Sequence, residues 1–276
     1  MAAVSMAAVK ELRERLGAGM LDSKNALVEA DGDIEKAIEI LRLKGLKGVA
    51  KREGREASEG MVGVRQTEGA ATMVELVCET DFVAKNEKFL ALSDKVLDAI
   101  SAAGAADVES ALAAPLDGKT VGEVITDESA IIGERIEVRK VTRIEAPATA
   151  VYLHRTSKDL PPQIGVVVGY EGADEKAALS IAQHISFADP LYVSRDEVPA
   201  DEVEKERALV TEISKNEGKP EAALPKIVEG RLTAFFKQVA LNEQVHELDA
   251  DKREVQKVAE AAGITVKSFA RSKVGA

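Results

Sequence analysis

The residues that could do chemistry are few and scattered. His154, His184 and His246 are the only histidines, and they lie far apart with no spacing that suits a shared metal ion. Cys78 is the only cysteine, so no intramolecular disulfide and no cysteine-based metal site can form. Gly17-Ala18-Gly19 has the glycines of a phosphate cradle. It lacks the preceding strand and the following Lys-Ser/Thr of a P-loop, and a turn between helices accounts for it. Acidic pairs abound, but none stands in a recognisable apolar pocket, and no general acid or base stands out. The sequence reads as that of a non-enzyme with no metal and no cofactor of its own.

The most unusual local arrangement is Thr80-Asp81-Phe82-Val83, which falls between an expected strand and an expected helix. An aromatic beside an acid on a short connection can protrude as a wedge. The same residues can instead act locally, with Phe82 stapling the next helix and Thr80 or Asp81 capping it. Residue types alone favour the local role. His154 ends an expected strand beside the polar stretch 155–162, where surface residues can meet a partner, whereas His184 lies among apolar helical positions and reads as structural.

The elements that must position these residues follow from apolar spacing. In residues 1–56, Val9, Leu12 and Leu16, then Ala26, Leu27 and Ala30, then Ile34, Ala37, Ile38 and Leu41 give three helical stripes, resembling a ubiquitin-associated-type bundle. So small a core is marginal alone and must lean on another surface. Residues 47–59 read as a charged linker, helical in part. Over 57–147, alternating residues 60–66 and 72–78 predict a hairpin turning at 67–70, followed by a helix at 86–103. A short helix near 121–125 and a strand from 136 to 141 follow. Over 148–200 the pattern returns, with strands at 151–154 and 164–168 and a helix at 174–187. This weak internal repeat predicts two related hairpin-plus-helix core units. Residues 201–241 predict a helical hairpin, a short coiled coil, turning at Gly218-Lys219-Pro220 and striped by Val203, Val210 and Ile213, then Leu224, Val228, Leu232, Phe235 and Val239. A C-terminal module, 242–276, holds a helix near 252–262 and a strand near 264–270. The fold class is α+β.

A formal net charge of −11 disfavours phosphate backbones, and Lys44 to Arg55 is the one notable basic stretch. No direct nucleic-acid binding is expected. No apolar run approaches the roughly 20 residues of a membrane span. With no secretory signal in view and one cysteine, the expected location is cytoplasmic.

Several segments, in chain order, resemble the elongation factor Ts family of bacterial type. They are Val9-Lys10-Glu11-Leu12-Arg13, Gly17-Ala18-Gly19-Met20-Leu21-Asp22, Lys44-Gly45, Thr80-Asp81-Phe82-Val83-Ala84, Tyr152-Leu153-His154 with Ile164-Gly165-Val166, Gly218-Lys219-Pro220 and Val228-Glu229-Gly230-Arg231. The resemblance runs over nearly the whole chain. It implies a guanine nucleotide exchange factor whose partner is the translational GTPase EF-Tu. It assigns Thr80, Asp81, Phe82 and Val83 to dislodging the magnesium ion bound in EF-Tu. It makes Lys10, Arg13, Met20 and Leu21 contacts from the bundle, and His154 a contact from the second core unit. The sequence departs from the family pattern at Leu21, Pro225, Gln244-Val245-His246-Glu247 and Arg271-Ser272-Lys273-Val274-Gly275.

Three rival readings use other features. A ubiquitin-binding or peptide-binding adaptor would rest on the bundle alone and leave the core without a purpose. An enzyme with an acidic cleft would need a motif that the sequence does not offer. A homodimer through the helical hairpin could coexist with exchange activity, because such a hairpin can present a self-complementary surface.

Overall fold

The computed structural model describes residues 5–16, 20–52 and 54–276. Three helices open the chain: α1 (Met6–Leu16), α2 (Met20–Glu29) and α3 (Ile34–Arg52). Val9, Leu12, Ala26, Leu27, Ala30 and Ala37 form their small core. The turn into α3 places Asp31 and Gly32 at positive φ, and the Asp33 carboxylate caps the helix by accepting from Lys36 N at 3.1 Å. Gly17-Ala18-Gly19 lies outside the described residues. The stretch from 47 onward, read from sequence as a linker, continues α3 through Arg52.

That extension is where the bundle meets the rest of the protein. A Cβ added at Gly45 would stand 2.7 Å from the Cβ of Ala130, so the missing side chain is what lets α3 lie against a later helix. Arg52 adds a hydrogen bond to the Ser129 carbonyl at 3.1 Å.

The first sheet begins with the hairpin β1 (Glu59–Thr67) and β2 (Ala70–Cys78). Gly69, at φ 75°, makes the tight reversal between Thr67 and Ala70. There follow α4 (Asp81–Ala84), α5 (Glu87–Ala103), α6 (Val108–Ala113), the two-residue strands β3 (Pro115–Leu116) and β4 (Lys119–Thr120), α7 (Val121–Ile132) and β5 (Glu137–Glu145). β5 pairs antiparallel with β2, giving the order β1-β2-β5. The stripe on α5, Phe89, Leu92, Val96 and Ile100, packs with Val74, Leu76 and Cys78 of β2. The Ala130 and Ser129 that receive α3 lie on α7.

The second sheet repeats this plan. β6 (Ala148–His154) and β7 (Ile164–Glu171) form a hairpin, α8 (Glu175–Ala188) packs on them, and α9 (Ala200–Asn216), α10 (Leu224–Val239) and α11 (Val255–Ala261) precede β8 (Thr265–Lys273). β8 pairs with β7, so the order is β6-β7-β8. Residues 242–276, set apart by sequence as a C-terminal module, thus supply the second sheet's third strand. Both third strands carry a one-residue bulge, with Arg139 extra on β5 and Lys267 extra on β8. The sheets meet face to face through Val62, Ala71, Met73, Val77, Ile144 and Val167. Mixed helix and sheet in this form make an α+β protein.

α9 and α10 pack through Val210, Val228 and Leu232, with Val203 and Phe236 against them. Phe236, not the expected Phe235, joins this stripe, and Ile213 is 38% exposed. Spacings of four from Leu224 to Phe236 carry the inward face one residue past the expected aromatic.

The segment after α10 is fastened to α8 by the two buried histidines, whose rings lie 5.2 Å apart. His184 Nε2 donates to Gln244 Oε1 at 2.9 Å. Its Nδ1 faces the Glu247 N–H at 3.5 Å. His246 Nδ1 accepts from Leu248 N at 3.1 Å, and its Nε2 meets Ser180 Oγ at 3.2 Å. A backbone N–H pointing at each Nδ1 leaves no room for a second ring proton. Burial pushes both imidazoles below the ordinary histidine value. For His246 the neighbouring His184 adds to this and Asp249 opposes it in part; for His184 the hydrogen bond to Gln244, and then the charge of Glu247, oppose it in part.

The unfolded chain gains protons on these rings as the pH falls through the ordinary value of 6.5, while the folded chain resists. The pair therefore leaves stability unchanged above that value and lowers it progressively below. The urea midpoint is expected to fall between about pH 7 and pH 5.5, and His246→Asn, whose amide oxygen can still accept from Leu248 N, should remove about half of that fall. At the α3–α7 contact, Gly45→Leu should force the two helices apart at a cost of about 1–3 kcal/mol. Limited proteolysis should then cut faster between α3 and β1, while α5 and both sheets stay protected.

Candidate functional site

The Thr80–Val83 segment forms a single capped turn. Thr80 has extended backbone angles (φ −127°, ψ 154°), and its hydroxyl oxygen accepts from Val83 N at 3.4 Å, which makes it the N-cap of α4. Immediately afterwards Asn86 caps α5, accepting from Lys88 N at 2.9 Å. Ala84 is fully buried, and Val83 packs on the core beneath the first sheet. The opposite face of the same turn presents Phe82, which is 73% exposed. The local cap expected at Thr80 is present, but the expected staple is not, because the Phe82 ring lies out in solvent. Asp81 pairs with Lys85 at 3.0 Å, and the Lys85 ammonium stands 4.5 Å from the centre of the Phe82 ring.

This turn is bound to a distant part of the chain. Glu134 Oε2 accepts from Glu79 N at 3.1 Å and from Thr80 N at 3.0 Å, and the Thr80 hydroxyl donates to Glu134 Oε1 at 2.6 Å. In return, Glu79 Oε1 accepts from Arg135 N at 2.7 Å, and Glu79 Oε2 lies 3.2 Å from the Arg55 guanidinium. The Arg135 guanidinium donates to the Arg55 carbonyl and pairs with Glu137. Sequence reasoning missed all of these supports. Glu134 follows a helix-ending glycine, Gly133 at φ 86°, and nothing in its spacing points 54 residues back.

The other candidates lie elsewhere. Met20 and Leu21 start α2 and are 47% and 69% exposed. Lys10 is exposed on α1, and Arg13 belongs to the same helix, its side chain outside the described set. His154 ends β6, exposed, with Nδ1 3.0 Å from the Tyr152 hydroxyl. It borders a depression of about 460 Å³ shared with Tyr152, Gln183, Phe187, Leu248 and Arg271. Among the described residues, the depression beside His154 does not reach Phe82.

The chemistry of the arrangement is that of contact. Burial, helped by the charge of Glu134, pushes the Cys78 thiol up to about 12, so it is a poor nucleophile. Among the described residues no group of three or more His, Cys, Asp or Glu side chains could hold a metal ion, and no helix is long and apolar enough to cross a membrane. What the surface offers includes the Phe82 ring on a braced turn and, on the N-terminal helices, the exposed side chains of Met6, Met20, Leu21, Val28 and Leu43. Fold and site together describe an α+β protein equipped to bind another macromolecule.

Comparison with known proteins narrows that class. The sequence profile of the family described as Elongation factor TS matches residues 79–276. The chain is 66% identical to Elongation factor Ts of Clavibacter michiganensis over 276 residues, covering the whole of both chains. It is 62% identical to that of Leifsonia xyli over 277 residues and 53% identical to that of Micrococcus luteus over 278, again over the full length of each. The chain belongs to the elongation factor Ts family. That family serves protein biosynthesis as the nucleotide exchange factor for EF-Tu.

Proposed function

We propose that this chain accelerates GDP release from EF-Tu by inserting Phe82 into the GTPase and displacing the bound magnesium ion. The observation that carries the reading is the 73% exposure of Phe82 on a turn whose other face is buried. A large aromatic held in water costs free energy that a binding pocket would recover. Thr80 caps the turn, Asp81 pairs with Lys85 beside the ring, and Val83 anchors it.

The physics is that of coupled binding. A factor that binds empty GTPase more tightly than its GDP form must weaken GDP by the same ratio. About 4 kcal/mol of such preference corresponds to roughly a thousandfold weakening. An inserted ring separates elements that carry the metal's ligands, and loss of Mg²⁺ leaves the diphosphate charge uncompensated. The factor itself needs no catalytic residue, nucleotide or metal. In this reading Lys10, Arg13, Met20 and Leu21 make a second contact with EF-Tu, and His154 a third. The two sheet-and-helix units, with their matching strand orders and bulges, act as related halves of one scaffold. The site of action is the cytoplasm, where elongation takes place.

Release of a fluorescent GDP from EF-Tu tests the reading. Catalytic amounts of this chain should accelerate release with turnover. Phe82→Ala should unfold at the wild-type temperature, because it removes little buried surface, yet accelerate release about thirtyfold less. A wild-type chain that fails to accelerate release would overturn the exchange function. A Phe82→Ala variant as effective as wild type would overturn only the role of the ring.

A further inference from the structure

We propose that Glu134 is the positioning residue for Phe82, and that through it the angle of the ring is tied to the seat of the N-terminal helices. The inference rests on reading Phe82 as the inserting residue.

α4 is only four residues long, Asp81–Ala84, which is one turn. A single turn fixes several dihedral angles for very few hydrogen bonds and does not persist unaided. The ladder of β2 ends at Cys78, so the N–H groups of Glu79 and Thr80 have no strand partner. One carboxylate oxygen of Glu134 takes both, and its other oxygen takes the Thr80 hydroxyl proton. An ionised carboxylate only accepts, so the hydroxyl must point its hydrogen at Glu134. Its lone pairs are thereby turned towards Val83 N, which is the cap that begins α4. The direction of α4, and hence of Phe82, follows from Glu134.

The same node receives the N-terminal helices. Glu134 stands just after α7, the helix on which α3 rests. Ser129 on α7 donates its hydroxyl to the Glu134 carbonyl, while its own carbonyl accepts from Arg52 of α3. Arg55, three residues beyond α3, pairs with Glu79, and its carbonyl accepts from Arg135. Side chains from both sides of the junction thus converge on the two residues that precede Asp81.

A double-mutant cycle on GDP release from EF-Tu tests this, because a merely structural role would not couple specifically to Phe82. Glu134→Ala should slow stimulated release about tenfold, the scale expected when a reacting contact is misplaced by a fraction of an ångström. Glu134→Gln retains a carbonyl for the two N–H groups but presents Thr80 with a donor in place of an acceptor, so it should slow release by about threefold, less than Glu134→Ala. Combined with Phe82→Ala, Glu134→Ala should add nothing. Amide exchange at Val83 should rise in Glu134→Ala and rise less in Glu134→Gln. Should Glu134→Ala fail to fold, Thr80→Val removes the oriented hydroxyl alone and should also be non-additive with Phe82→Ala. If Phe82→Ala is slow while Glu134→Ala is fast, or if their effects multiply, the positioning role is wrong and the Phe82 reading stands. If Phe82→Ala is as fast as wild type, both fall.

Discussion

The structure depends on a strand that must be covered on both faces. All nine residues of β2 are buried. One face carries Val74, Leu76 and Cys78 into α5, and the other carries Ala71, Met73 and Val77 into the second sheet. A sheet with only one helix upon it would leave Met73 and Val77 in water. The second sheet is therefore required by the first, and close approach is made possible by glycine: a Cβ on Gly165 of β7 would stand 2.4 Å from a methyl of Val62. Two sheets in the middle with α5 and α8 outside give four layers.

The proposed contact face follows from this rigidity. A loop can present an aromatic ring only at an entropic cost when it binds, unless its backbone is already fixed. Here fixation comes from polar groups, where packing has run out. At this edge the core ends with Ala84 and Val83, and beyond it two carboxylates, a hydroxyl and two guanidinium groups take over. Polar bracing suits such a place, since the junction is only partly buried and its charged groups keep some contact with water.

Elements were legible in the sequence wherever their cause was local. Alternation over β1 and β2, the stripe on α5 and the cap at Thr80 all follow from neighbours within a few residues. What escaped was set by partners far along the chain. Residues 47–59 read as a linker, helical in part, and how far α3 runs, through Arg52, is set by its seat on α7 where Gly45 meets Ala130. β8 reads as a strand of a separate module because nothing in residues 265–273 names β7 as its partner. Phe235 and Phe236 are adjacent, and only the facing α9 selects the second. Glu134 carries no local mark at all. The motif at 80–83 was visible as a sequence oddity, while the exposure of its ring needed the surrounding core to be in place.

Lys85 bears on a different problem, the behaviour of this protein at high concentration. A bare aromatic ring on a braced turn is a ready site for two molecules to stick to one another. The Lys85 ammonium over that ring, tethered by Asp81, puts a hydrated charge where a second ring would have to stack. A cation over an exposed ring is worth only about 0.5–1 kcal/mol, so it deters weak self-association yet yields to a pocket that offers more. With a net charge of −11 repelling like molecules at longer range, the chain can keep an adhesive residue in the open and remain dispersed.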